Sequence, residues 1–166
     1  MEKPPLPVNL WPNILQRLNF LIWKTRFTKK RQVKTPKIYF RDSGIFNTLS
    51  SIHSITELAK TPKIGPLWEG FALEEVINCL QVSSNDCYFW STHNEAELDL
   101  LIFKNGKRLG FEFKYSDSPK VTKSMNIALE DLKLDHLYII FPGKFRFFIK
   151  EKITACGLDA FREIEV

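Results

Sequence analysis

Apolar and polar residues alternate along much of Glu97-Leu98-Asp99-Leu100-Leu101-Ile102-Phe103-Lys104, and again along Lys107-Arg108-Leu109-Gly110-Phe111-Glu112-Phe113-Lys114. Asn105-Gly106 separates the two runs. Alternation predicts half-buried strands, and Asn-Gly between them predicts a two-residue turn, because both residues tolerate positive φ. That turn fixes a register with Lys104 opposite Lys107, Leu100 opposite Phe111, Asp99 opposite Glu112 and Glu97 opposite Lys114. Leu98, Leu100 and Ile102 then share an apolar face with Phe113, Phe111 and Leu109, and the carboxylates and Lys114 share the other, charged face.

Farther upstream, Pro66 and the apolar spacing from Leu67 to Leu80 predict a long, largely buried helix ending before Gln81. Glu69 shares its face with Leu73, Val76 and Leu80, so an acid points inward. Leu10, Trp11, Ile14, Leu15, Leu18 and Ile22 predict an amphipathic helix. Lys37–Phe40 predicts a short strand or the lead into a helix over Asp42–Leu49, with Asp42 as its cap. Cys87–Trp90 predicts a strand, and the stretch from Pro119 through Met125, Ala128 and Leu132 a helix crossing back over the sheet. His136–Phe141 predicts a buried strand closed by Pro142-Gly143 and followed by Phe145–Ile149. Together these elements predict an α/β fold, a mixed central β-sheet flanked by helices.

The charged face of the hairpin admits two readings. It is the solvated side of an ordinary antiparallel pair, with Glu97 and Lys114 as a cross-strand ion pair. Or it is a metal site, since like charges placed opposite each other destabilise a sheet unless something positive lies between them. Mg²⁺ takes oxygen ligands and is usually held by one or two carboxylates together with phosphate and water, so Asp99 and Glu112 suffice for it. Lys114, on the face of Glu112, is placed to neutralise charge on a phosphate or to orient an attacking water. Glu69 has its own plain reading, as a carboxylate stabilised by the helix dipole in the first turns.

With 166 residues and 44% hydrophobic content, one core is enough to account for the chain. Charge is unevenly spread: residues 1–42 carry ten Lys and Arg against two acids, and residues 43–166 fourteen against seventeen. The basic run contains Lys24, Arg26, Lys29, Lys30, Arg31 and Lys34. It suits a nucleic-acid backbone, or equally a solvated linker or a surface meeting an acidic domain. Cys79, Cys87 and Cys156 are too scattered for a zinc motif and too few for a disulfide framework, and imply reduced thiols in a cytoplasmic protein. The three histidines lack ligand spacing. No apolar run approaches the roughly 20 residues of a membrane helix, and the start is not that of a signal peptide, so no membrane partner is expected.

A helical acid, a strand aspartate and Glu-x-Lys on the next strand, here Glu69, Asp99 and Glu112-Phe113-Lys114, resemble the core of the PD-(D/E)xK nuclease-like superfamily. More narrowly, Lys34–Gly44, Gly65-Pro66-Leu67-Trp68-Glu69, Tyr88-Phe89-Trp90 and Glu97–Leu101 resemble, in order, the C-terminal domain of unknown function 4143 of prokaryotic AAA-type ATPases. The resemblance covers roughly residues 10–150. It implies a restriction-endonuclease-like core in which Asp99, Glu112 and the backbone carbonyl of Phe113 hold Mg²⁺ or Mn²⁺. It further implies Lys114 as the catalytic lysine and Glu69 as an auxiliary acid. Where the family usually has Arg after Phe-Trp and Gly before Glu-x-Asp, this chain has Ser91 and Ala96.

No G-x-x-x-x-G-K-[ST] phosphate loop is present, so no ATP site of that type exists in this chain. The chain is then a fragment of a longer protein, a truncated product, or a domain that works alone or beside an ATPase encoded elsewhere. The expected organisation is an amphipathic, basic helical extension over residues 1–36, a remnant of an upstream domain, followed by the nuclease-like domain over residues 37–166. The expected function is DNA binding with metal-dependent phosphodiester cleavage. The alternative is a non-catalytic recognition or assembly module for an AAA-type ATPase, or for self-association.

Overall fold

A computed structural model describes residues 20–23, 37–40, 44, 48, 50–93 and 96–163. Strands β1 (Phe20–Trp23) and β2 (Lys37–Phe40) pair antiparallel, from Phe20↔Phe40 to Trp23↔Lys37. Helices α1 (Ile55–Lys60) and α2 (Ile64–Leu80) precede β3 (Cys87–Ser91), β4 (Glu97–Lys104) and β5 (Lys107–Phe113). Helix α3 (Lys123–Asp131), β6 (His136–Phe141), β7 (Arg146–Lys150), β8 (Ile153–Gly157) and α4 (Leu158–Phe161) follow. The main sheet has six strands in the order β3-β4-β5-β6-β8-β7. β5, β6 and β8 run parallel and the remaining pairs antiparallel, so the sheet is mixed as expected.

The hairpin forms as its turn residues dictate. Asn105 and Gly106 take φ of 51° and 76°, and the ladder runs from Lys104↔Lys107 to Leu100↔Phe111. Two positive φ values match the right-handed twist of the strands they join. Helix α2 occupies the expected span and ends on Gln81, whose left-handed φ of 51° terminates it without a glycine. Helix α3 starts at Lys123, later than Pro119, because Thr122 caps it: its hydroxyl accepts the Met125 N–H at 3.2 Å, and Met125 Sδ accepts the Thr122 N–H at 3.3 Å.

Both faces of the sheet are covered, which corrects the expectation of one charged, exposed face. On the first, Leu73, Val76 and Ile77 of α2 pack against Leu100, Ile102, Phe111 and Ile140. On the second, Met125 and Ala128 of α3 pack against Leu98, Leu101, Leu137 and Ile139. Leu98 is therefore on the opposite face from Leu100, not beside it. The cause is a slip in the β3–β4 ladder between Tyr88↔Leu101 and Trp90↔Leu98, which leaves Phe89 facing both Asp99 and Leu100. A bulge of this kind inserts one residue and re-aims the side chains next to it.

Three other elements differ from expectation. Ile22 lies in a strand rather than in an amphipathic helix, because Phe-Leu-Ile-Trp is an aromatic and branched run with a matching strand at Lys37–Phe40. The residues from Leu10 to Leu18, Asp42 and the basic run at Lys24, Arg26, Lys29, Lys30, Arg31 and Lys34 lie outside the described residues. β8 and α4 were not anticipated. β8 is buried throughout and threads between β6 and β7, while α4 brings Phe161 into a ring cluster with Phe111 at 5.8 Å and Tyr138 at 5.7 Å. Among the described residues no helix is long and apolar enough to cross a membrane.

Gly157 closes β8 where the chain doubles back. Its N–H donates to the Phe145 carbonyl at 2.8 Å and the Asp159 N–H to the Gly143 carbonyl at 3.2 Å. A Cβ on Gly157 would overlap the Gly143 carbonyl group and approach the Lys144 nitrogen to 2.8 Å, and backbone cannot swing aside as a side chain does. Gly157→Ala is expected to cost about 1–3 kcal/mol, the usual range for an overpacked site. Urea denaturation measures it, and an unchanged midpoint would show that the 143–145 loop yields freely.

Candidate functional site

The bulge in β4 delivers Asp99 to the end of the hairpin, where regular pairing gives way to a side-chain contact. Asp99 Oδ2 accepts the N–H of Phe113 at 3.1 Å. The β4–β5 ladder ends at Leu100↔Phe111, one residue short of the expected Asp99–Glu112 pair, and Glu112 pairs with Ile139 of β6 on its other side. Each of these two carboxylate residues is only 4% exposed, in a sheet whose other central side chains are almost all apolar.

Lys114 follows at the carboxyl end of β5, where its own N–H donates to the Ile140 carbonyl at 2.9 Å and extends the β5–β6 pairing. Its Nζ lies 3.1 Å from Glu112 Oε2 while part of the side chain reaches solvent. Burial works against the charge on this ammonium. The Glu112 and Asp99 carboxylates, the hydrogen bond to Glu112 and the charge of Glu69 outweigh that burial and hold its pKa above the ordinary lysine value. Lys114 is therefore a permanent cation at neutral pH, suited to neutralising phosphate charge and unsuited to taking a proton.

Glu69 reaches this group from the early part of α2, half-buried, and it acts on Lys114 through its charge. The neighbouring Trp68 meets Tyr115 with ring centroids 6.2 Å apart, which ties the start of α2 to the segment leaving β5. On the other side Ser124 of α3 clamps the start of β4. Its hydroxyl accepts the Glu97 N–H and donates to the Glu97 carbonyl, both at 2.7 Å. The structure thus brings together Glu69, Asp99, Glu112 and Lys114, and sets them at the carboxyl end of β5.

Sequence reasoning missed Ser124, Trp68 and Tyr115 as supporting residues. Ser124 and Glu97 are 27 residues apart, and nothing local marks the contact. Among the described residues, no three His, Cys, Asp or Glu side chains converge into a metal centre of their own. What is present is two buried carboxylates with oxygen donors only. That set fits a hard cation such as Mg²⁺ or Mn²⁺, which takes much of its shell from water and phosphate, and does not fit zinc.

A family model described as "Domain of unknown function (DUF4143)" matches residues 64–161. The chain is similar to "Uncharacterized protein Rv2008c" of Mycobacterium tuberculosis (strain ATCC 25618 / H37Rv), 41% identical over 130 residues. "Uncharacterized protein Mb2031c" of Mycobacterium bovis (strain ATCC BAA-935 / AF2122/97) matches to the same degree. Each alignment covers 78% of this chain and 29% of the relative, so the chain spans less than a third of the length of these proteins. No solved structure matches.

An amine whose pKa is raised by folding contributes stability that is fully present below its unfolded value, about 10.4, and is lost as pH rises through the folded value. Lys114 is such a group. Wild type is expected to exceed Lys114→Gln in stability by a constant margin between about pH 7 and pH 10, and that margin is expected to shrink above it. Urea denaturation of both proteins across this range measures it, and a margin independent of pH would contradict the coupling of Lys114 to the carboxylates.

Proposed function

The chain belongs to the DUF4143 family, and from that premise we propose that it is a nuclease-like domain that binds nucleic acid and hydrolyses phosphodiester bonds with the help of Mg²⁺ or Mn²⁺. The observation that carries this reading is the pair Asp99 and Glu112, each 4% exposed in an apolar sheet beside an ammonium held on Glu112. The family match, residues 64–161, contains all four site residues. Support also comes from the order of elements: acid on a helix, bulged strand with Asp99, tight turn, strand with Glu112 and Lys114, crossover helix, parallel strand. This is the order that the resemblance to a restriction-endonuclease-like core requires.

In this reading Asp99 and Glu112 would hold the ion, with the Phe113 carbonyl as a further oxygen donor. A bound divalent ion supplies charge stabilisation on a phosphate and acidifies a coordinated water. Lys114 neutralises charge developing on the phosphate from a fixed position, which costs no reorganisation during the reaction. Glu69 orients water near Lys114. The two helices covering the sheet exclude bulk solvent and strengthen each of these interactions. The basic residues Lys24, Arg26, Lys29, Lys30, Arg31 and Lys34 add nonspecific attraction for DNA.

One observation favours a second reading. Lys114 already offsets Glu112 without a metal, so the acidic pair can be structural and the domain an assembly module for an AAA-type ATPase region of a longer protein. Thermal denaturation separates the two. A metal bound only by the folded state at 100 times its dissociation constant adds about 2.7 kcal/mol of stability. The expected result is a Tm that rises with Mg²⁺ or Mn²⁺ in wild type and stays flat in Asp99→Asn with Glu112→Gln. Metal-stimulated plasmid cleavage is expected to fall by about 10²-fold or more in Lys114→Ala. Equal metal response in wild type and the double variant, with no cleavage, would overturn the nuclease reading in favour of the assembly module.

A further inference from the structure

A second group of polar side chains lies on the face of the sheet that α2 and α4 cover. Residues paired directly across strands share a face, and so do residues two apart in one strand. Tyr138 pairs with Thr154 and Thr154 with Phe148, while in the next row Ile140 pairs with Cys156 and Cys156 with Arg146. His136, two residues before Tyr138, joins the same face, and its Nε2 lies 2.8 Å from Thr154 Oγ1. Lys107 joins it as well, two residues before Leu109, which pairs with His136. Glu112 pairs with Ile139, which packs on the opposite face, so the two groups are separate.

Tyr138 and Cys156 are buried under α2 and α4, whereas Lys107, Arg146 and Phe148 stay exposed beside them. His136 is half-buried, with its ring 4.6 Å from that of Tyr138. The Arg146 guanidinium sits 5.3 Å from the centroid of the Phe148 ring on this same face. A ring holds a guanidinium by its flat side and leaves the N–H edges for an acceptor. Burial, and then the positive charges of Arg146 and Lys107, hold the His136 pKa below the ordinary histidine value. The acids of the neighbouring elements are committed elsewhere. Glu75 of α2 and Asp159 of α4 both face Arg162, and Asp135 accepts the Arg108 N–H at 2.7 Å. Glu151 is exposed in the turn between β7 and β8, flanked by Lys150 and Lys152.

Cations gathered round a neutral imidazole, with the neighbouring carboxylates engaged elsewhere, form a setting that an oxyanion completes. Covalent chemistry is a poor match: burial pushes the Cys156 thiol up to about 11 and also raises the Tyr138 phenol, so neither is an activated nucleophile at neutral pH. Binding is the better match. A phosphoryl group brings up to two negative charges and three strong acceptor oxygens. Those oxygens suit the Arg146 guanidinium, the Tyr138 hydroxyl and the Nδ1–H of a protonated His136, whose Nε2 is already taken by Thr154.

We propose that His136, Tyr138 and Arg146, with Lys107 adding charge, bind a phosphoryl group on the α2 face of the sheet, and that His136 tightens the site as pH falls. The sign follows from linkage. An anion beside the imidazole favours its protonated form, so protonation near pH 6.5 favours the anion to the same degree.

The test is isothermal titration of the full chain in EDTA. Sulfate is the first probe because it stays a dianion, so any pH dependence belongs to the protein. Wild type is expected to bind sulfate at least about fivefold more tightly at about pH 5.5 than at pH 8. His136→Gln, which keeps a polar partner for Thr154, is expected to lose that difference. Arg146→Gln, at an exposed position, is expected to weaken binding at least about tenfold at both pH values with Tm unchanged. Tyr138→Phe keeps the ring stacked on Phe111 and is expected to weaken binding by a smaller factor. Inorganic phosphate and thymidine monophosphate, compared at pH 8, separate the two sources of the group: tighter binding of the nucleotide marks a phosphomonoester, tighter binding of phosphate a free anion.

Absence of saturable binding of all three probes would overturn the site. So would equal affinity in Arg146→Gln, or a pH dependence that His136→Gln retains, since the anion would then be held elsewhere. Because no divalent ion is present, these outcomes are independent of the metal response of Asp99 and Glu112. Either inference can fail while the other stands.

Discussion

The constraint on which this domain depends is the presence of two carboxylates inside a sheet that is covered on both faces. An ionised carboxylate taken out of water is costly unless it is paired and hydrogen-bonded. Asp99 takes the N–H of Phe113, and Glu112 takes the ammonium of Lys114. The two arrangements interlock, because Phe113 lies between Glu112 and Lys114 in the chain. Moving β5 by one residue would take the Phe113 N–H away from Asp99, while Glu112 and Lys114, at the end of the same strand, would move together. A buried charge that loses its partner destabilises far more than the intact pair stabilises, so the Asp99 contact adds to the turn in holding the hairpin register.

The surrounding packing serves the same end. α2 closes one face and brings Glu69 within electrostatic reach of Lys114. α3 closes the other and, through Ser124, anchors Glu97 at the start of β4, one residue before Leu98 and two before Asp99. Excluding water from both faces lowers the local dielectric, which lengthens the range over which the acids act on the lysine. That is why three carboxylates, and not Glu112 alone, contribute to keeping Lys114 charged.

What could be read along the chain was what local chemistry specifies. Asn105-Gly106 determined a turn, and Pro66 with the spacing of Leu73, Val76 and Leu80 determined a helix. Glu69, Asp99, Glu112 and Lys114 came together because a hairpin and one helix suffice to unite them. The bulge was invisible, since it is a mismatch between β4 and the separate strand β3, and it sent Leu98 to the face opposite Leu100. β8 was invisible for a related reason. Ile-Thr-Ala-Cys-Gly carries a weak strand signal, and its burial comes from inserting between β6 and β7 after both have been read as neighbours. At Ile22 helical spacing was outweighed by a strand partner some fifteen residues on, a pairing no local window contains.

Charge distribution raises a last physical problem for any polyanionic ligand. A site built from Asp99, Glu112 and Glu69 repels phosphate in the absence of a cation, and Lys114 is engaged by Glu112. Attraction must then come from elsewhere on the surface, at a distance where it steers approach without filling the site. The β7 edge, three strands away along one ladder row, has that position and sign. In the proposed reading an acidic centre and a basic sheet edge would separate capture from chemistry, with the sheet between them setting the spacing.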